Sequence, residues 1–176
     1  TLMEMVAAMD AGDIYLQATE PIHPDDDYGT LEARLAARAA SLLLEGLERL
    51  QAGTLVRTPQ DHAAATYAPL ITKDDTRIRW EEPAEQCRNR IRAFSPKPGA
   101  FTHWRGKTLK LWKAEVAPCA ADAAPGAIIA CAPDDFRVAC GEGALRLLEV
   151  QPESRPRMDI RAFLNGYRPQ LGERLG

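Results

Sequence analysis

Two carboxylates stand either side of a small-residue turn near the start of the chain: Asp10 and Asp13 flank Ala11-Gly12 in the stretch MDAGDIYLQ. An apolar-rich run (Leu2, Met3, Met5, Val6) precedes the turn, and a strand-like run (Ile14, Tyr15, Leu16) follows it. A carboxylate at such a corner is either a solvated turn residue or an acid–base group of a site. Spacing alone leaves both open. A second stretch with chemical content runs from Cys87 to Ala114 without a single acid. It holds Arg88, Arg90, Arg92, Lys97, Arg105, Lys107, Lys110 and Lys113, interleaved with Phe94, Phe101, Trp104 and Trp112. Cations at phosphate spacing release counterions from nucleic acid, and aromatic faces stack on bases. The alternative is a solvated basic face over core aromatics. In KTLKLWK, strict alternation puts Leu109 and Leu111 on one face and Lys110 and Trp112 on the other. Lys107 and Lys113 then share the leucine face and reach solvent from the strand ends.

Metal chemistry is not indicated. Cys87, Cys119, Cys131 and Cys140 form no C-x-x-C pair, and His23, His62 and His103 stand far from them in sequence. Zinc sites usually announce themselves through close ligand pairs. With no secretory signal ahead of them, the four thiols read as scattered buried cysteines of a cytosolic protein.

The 176 residues suffice for one or two small domains with a real core. No apolar run reaches the roughly 18 residues of a membrane-spanning helix. Net charge is −3, unevenly spread. Residues 1–73 hold 11 acids and 5 Lys/Arg, a net of −6, and residues 74–176 hold 14 acids and 17 Lys/Arg, a net of +3. Such asymmetry points to a second half that meets something anionic. The first residue is Thr1, followed at once by a strand-like run. This reads as a piece of a longer chain.

The elements that must position these residues follow from periodicity. Residues 1–22 read as two short strands around the Ala11-Gly12 turn, and HPDDDYG as a loop. Thr30 is placed as the cap of a helix over residues 31–51, whose leucines (31, 35, 42, 43, 47 and 50) fall on one face. Gly53 ends it in a left-handed cap. Residues 54–73, with two prolines and no period, read as a connector. Pro83 opens a second helix carrying Cys87, Ile91 and Phe94, which SPKPG breaks. Five alternating runs then follow (AFTHW, KTLKLWKAEV, GAIIACA, FRVAC and ALRLLEV), separated by turn signals. They predict a small antiparallel barrel or sandwich. MDIRAFLNG is a last short helix closed by Gly166.

Taken in order, several stretches form a set: MDAGDIYLQATEPI, GTLVRTPQDHAAATYAPLITKDDTRIRW, IRAFSPKPGAF, KLWKAEV, GEGALRLLEVQPESRPRM and FLNGYRPQLGERLG. Together they resemble the bacterial methionyl-tRNA formyltransferases, from the middle of that family's chain to its C-terminus. The resemblance covers essentially the whole sequence. It implies an α+β chain: the end of a doubly wound α/β formyltransferase domain (residues 1–53), a linker (54–73) and a C-terminal OB-fold-like antiparallel β-barrel that binds tRNA (74–176). The implied reaction moves a formyl group from 10-formyltetrahydrofolate to the amino group of methionyl initiator tRNA. The parent would be a cytoplasmic monomer, needing neither metal nor membrane, with most of the folate site upstream of these residues.

The resemblance also gives Asp10 a role. In that family an Asn and a His of one motif meet an Asp from a later loop of the form LD-T/A-GD, and MDAGD places Asp10 on that Asp. Asp13 matches the second acid and is structural. Attack of a neutral amine on the formyl carbon builds an oxyanion, which a protonated His and an Asn amide would stabilise. The carboxylate would raise the His pKa and relay protons. No Asn-x-His occurs in these 176 residues. For tRNA the resemblance and the cationic window together nominate Lys73, Arg88, Arg92, Lys97, Lys107, Lys110 and Lys113. Three departures bear on this: SPKPGA stands where relatives often have NPWPGA, Leu70 where the linker usually has a base, and Arg79 where an acid is common. A stand-alone nucleic-acid-binding barrel, or another folate-dependent formyltransferase, are the competing readings.

Overall fold

The computed structural model describes residues 1–119 and 123–176. The chain forms two compact units, Thr1–Leu70 and Ile71–Gly176.

In the first unit, β1 (Leu2–Met3) and β2 (Ile14–Leu16) pair antiparallel around the Asp10 turn. Thr58 adds a bridge on β2: its N–H donates to the Ile14 carbonyl at 2.9 Å, and its carbonyl accepts the Ile14 N–H at 2.8 Å. The helix α1 spans Tyr28–Gln51, three residues earlier than periodicity places its start. Asp27, not Thr30, is the cap. The Asp27 carboxylate accepts the Thr30 N–H at 2.9 Å, and the Thr30 hydroxyl accepts the Asp27 N–H at 3.1 Å. This reciprocal pair satisfies two donors that a helix start leaves orphaned. Gly53 has φ of +67°, and the Thr54 N–H beyond it returns to the Arg49 carbonyl at 2.9 Å, as the left-handed ending requires. The leucine face is less covered than its period implies: Leu42 is buried, but Leu35, Leu43, Leu47 and Leu50 are exposed. Strands of two and three residues screen only a narrow stripe of a 24-residue helix.

The second unit holds the core. The helix α2 (Ala84–Ala93) is capped by Pro83, one position outside the helix rather than its first residue. Strands β3 (Ala100–Trp104), β4 (Lys107–Ala117), β5 (Ile128–Ala132), β6 (Asp135–Ala139) and β7 (Ala144–Pro152) form an antiparallel sheet in the order β3-β4-β7-β6-β5. The short β8 (Met158–Asp159) pairs with β7 and leads into α3 (Ile160–Tyr167). Gly166 lies inside α3; the helix instead closes on Arg168, left-handed at φ +48°. Ile78, Trp80, Cys87, Ile91, Leu109, Leu111, Phe136, Val138, Leu145, Leu147 and Phe163 pack between sheet and helices. Each large side chain of this kind contributes roughly 1.5–3 kcal/mol on burial. Trp80 brings its indole N–H inside and donates it to the Thr102 hydroxyl at 3.0 Å.

The closed barrel expected from the sequence is an open sheet. Among the described residues β3 and β5, the ends of the strand path, do not pair with each other. The C-terminal residues stand between them, with Leu175 bridging to Trp104 and Arg174 bridging to Ala127. The Ile128 N–H donates to Glu173 at 2.8 Å, the Leu175 N–H to Gly126 at 2.8 Å and the Gly176 N–H to His103 at 2.9 Å. A Cβ at Gly126 would lie 2.3 Å from the Leu175 carbonyl oxygen, so only glycine admits this approach. Glu173 fastens the segment by accepting from the Trp104 indole at 2.8 Å and from the Arg105 guanidinium at 2.6 Å.

Candidate catalytic turn and nucleic-acid interface

Asp10 is exposed at the tip of the β1–β2 connection and takes φ of +54°. Positive φ is uncommon for non-glycine residues, and Asp is enriched among those that adopt it because its short side chain tolerates the crowding. Two features hold the turn. Gly12 is buried, and a Cβ on it would stand 2.0 Å from the Glu4 carbonyl oxygen. The Gln60 amide donates to the Asp10 carbonyl at 2.9 Å and to the Gly12 carbonyl at 2.6 Å. Asp13 is half-buried, and its carbonyl accepts the Glu4 N–H at 2.9 Å. The Asp10 carboxylate has no hydrogen bond or ion pair among the described residues.

Behind the turn, a charged cluster anchors the entry to α1. Arg34 grips Asp26 through both guanidinium arms at 2.5 and 2.7 Å and reaches Glu20 at 2.9 Å and the Pro21 carbonyl at 2.7 Å. The Arg34 hydrogen bonds, with the His23 N–H, hold the Asp26 carboxyl well below its ordinary range. Glu20 is lowered in the same direction, chiefly by Arg34.

In the second unit the nominated cations separate into two groups. Arg88 pairs with Glu85 at 3.1 Å, Arg92 donates to the Asn89 side chain at 2.8 Å, and Lys97 is exposed between the two prolines of SPKPG. Lys73, Lys107, Lys110 and Lys113 enter no ion pair among the described residues. Lys73 and Lys110 border one open cavity of about 440 Å³, with Thr72, Pro98, Phe101 and Thr108 also in its lining. The Lys73 ammonium stands 5.5 Å from the Phe101 ring centre. The Lys110 ammonium donates to the Pro98 carbonyl at 2.9 Å and stands 5.6 Å from the Trp112 ring. Strict alternation fails at Trp112, where Leu111 faces Val150 and Lys113 faces Glu149 across β7. The extra residue shifts parity. Ala114 therefore packs on the core, and Lys113 is an outer residue, not a rim residue of the leucine face.

Two contributors were not visible in the sequence. Gln60 lies 50 residues from Asp10, in a segment without period. Arg157 stands 5.2 Å from the Trp112 ring and pairs with Glu149; only the basic run SRPRM hinted at it. The thiols are not uniformly buried: Cys87 and Cys140 are, whereas Cys119 and Cys131 are half-buried.

The chain is similar to known proteins. The chain is 46% identical over 173 residues to the methionyl-tRNA formyltransferase of Carboxydothermus hydrogenoformans, a match covering 98% of this chain and 56% of that protein. It is 45% identical over 176 residues to the methionyl-tRNA formyltransferase of Solibacter usitatus, covering 100% of this chain and 56% of that protein. The chain thus spans about half the length of these relatives. Among solved structures, HypX from Aquifex aeolicus in complex with tetrahydrofolic acid superposes with a TM-score of 0.72 over 98% of this chain and 31% of its own, at 21% identity, which establishes a shared fold. The sequence pattern of the formyl transferase C-terminal domain matches residues 70–168, and the chain belongs to that formyl transferase family.

Proposed function

We propose that this chain is the C-terminal part of a methionyl-tRNA formyltransferase, the enzyme that carries the formyl group of 10-formyltetrahydrofolate to the amino group of methionyl initiator tRNA. The observation that carries the proposal is 46% identity over 173 residues, a match that covers 98% of the chain and so extends over both units. The folate supplies the formyl carbon. This chain's contribution to the transfer is Asp10, an exposed carboxylate with no partner among the described residues, on a turn that Gln60 and Gly12 hold still. A carboxylate so placed holds an imidazolium from the preceding part of the domain and takes up the proton that the attacking amine releases.

The tRNA contact belongs to residues 71–176, through Lys73 and Lys110 around their shared cavity and Lys107 and Lys113 beyond it. Among the described residues these ammonium groups pair with no acid, so a phosphate would not have to displace an ion pair formed there. Lys97 directly precedes Pro98 of the cavity lining, and Arg88 and Arg92 are carried on α2. Of the segment 54–73, residues up to Leu70 belong to the first unit and Ile71, Thr72 and Lys73 to the second.

The test is a formylation assay with methionyl-tRNA. The full-length enzyme should be active. The 176-residue chain alone should not, because it contains no Asn-x-His motif. Turnover by the 176-residue chain above that of its Asp10→Ala variant would refute the division of labour.

A further inference from the structure

Gln60 reaches the Asp10 turn from outside it and grips it twice. Its segment is placed first: Thr58 bridges Ile14 with hydrogen bonds in both directions, at 2.8 and 2.9 Å. Arg57 reinforces this by pairing with Glu4 at 3.2 Å and standing 5.8 Å from the Tyr15 ring. Pro59 then restricts the backbone, and the half-buried Gln60 side chain turns back across the loop. An amide NH2 has two hydrogens to donate. Here they go to the carbonyls of Asp10 and Gly12, at 2.9 and 2.6 Å, with the Met3 sulfur 3.8 Å away.

Those two carbonyls bracket the turn. Fixing both sets the peptide planes on either side of Ala11 and Gly12. That in turn fixes the backbone exit of Asp10, whose φ of +54° is sparsely populated even for aspartate. Without the clamp, the competing state is an Asp10 with negative φ and its carboxylate swung to another direction. A displacement of about 1 Å at a reacting group costs up to roughly 100-fold in rate.

We propose that Gln60 is the positioning residue of the Asp10 carboxylate, an inference that rests on the catalytic reading of Asp10. It holds the strained turn in the one conformation from which the carboxylate meets its partner. It does not touch the substrate.

The experiment uses full-length enzyme carrying Gln60→Glu, which keeps the shape and loses both donors, and Gln60→Met, which loses them without adding charge. Turnover should fall roughly 10- to 100-fold in both, with KM for methionyl-tRNA within about twofold of wild type. A filler of the fold would instead show unchanged kcat, or would move both constants together. The decisive arm is the pair with Asp10→Asn. If Gln60 acts through Asp10, the double variant Asp10→Asn/Gln60→Met is no slower than Asp10→Asn alone. Amide exchange of residues 9–13 in Gln60→Met should be faster than in wild type while α1 stays protected, which checks the clamp without reference to activity. Three results overturn the proposal: a fully active Gln60→Met beside a crippled Asp10→Asn, a double variant in which the two losses multiply, or unchanged exchange in the turn. A fully active Asp10→Asn would instead remove the catalytic reading on which the proposal stands.

Discussion

At the scale of single residues, Asp10 combines two properties that are separable by substitution. Its carboxylate has no hydrogen-bond or ion-pair partner among the described residues, and its backbone is left-handed. Asn shares the backbone tolerance but not the charge, so Asp10→Asn should preserve the turn. In the full-length enzyme it should lower turnover by roughly two orders of magnitude or more, the usual scale for a lost acid–base group. Asp10→Gly should also keep the turn and lose the activity. Steady-state formylation with thermal unfolding measured in parallel checks both, and an Asp10→Asn enzyme with wild-type turnover would contradict the assignment. The sequence motif made Asp10 legible as a candidate. Its φ, and its dependence on Gln60 across 50 residues, were not legible, because neither leaves a local periodicity to read.

At the scale of elements, the entry to α1 should be acid-sensitive. Arg34, Asp26 and Glu20 form one charged cluster, and Asp26 is 8% exposed. The folded Asp26 pKa lies well below its ordinary 3.8. A depressed folded pKa means the carboxylate's stabilisation is fully present above the unfolded value and is lost as pH falls through the folded one. Asp26→Asn should therefore melt below wild type at neutral pH. The gap should narrow as pH drops below 3.8, as the wild type protonates what the variant has already lost. Thermal melts followed at several pH values give the comparison, and a gap constant into strong acid would show that Asp26 acts by packing alone. This cluster also explains why the start of α1 was misplaced. HPDDDYG looks like loop by composition, but Asp26 is spent on Arg34 and Asp27 on the cap, so Tyr28 and Gly29 are free to begin the helix. The strands of the second unit were easier to read, since alternation around a one-sided core is a strong local signal. The open edge was not, because its occupant is residues 173–176, whose contacts with β3 lie about 70 positions away in sequence.

At the scale of the whole molecule, the uneven charge survives folding only in part. An acid-free run of sequence is not an acid-free surface. Glu82, Glu85 and Glu173 all lie outside the Cys87–Ala114 window, and they pair with Arg90, Arg88 and Arg105 inside it. The window's cationic character therefore rests mainly on lysines, with Lys73 added from just before the second unit's core. Phosphate contacts by exposed lysines predict binding that is weak, largely indifferent to sequence and strongly salt-dependent. Log K should fall by about 0.7–0.9 per phosphate neutralised for each tenfold rise in salt. Lys73→Ala with Lys110→Ala removes the two cations of the 440 Å³ cavity. If each meets one phosphate, the slope should flatten by roughly 1.4–1.8, the sum of two such contacts. Neither lysine carries an ion pair among the described residues, so the sheet should keep its far-UV dichroism and melting point within error. Arg88→Ala, whose partner is Glu85, should change the slope less than either lysine. The measurement is fluorescence anisotropy of labelled tRNA titrated with the chain at several salt concentrations. An affinity that does not change with salt, or a double variant whose slope matches wild type, would show that tRNA is held elsewhere.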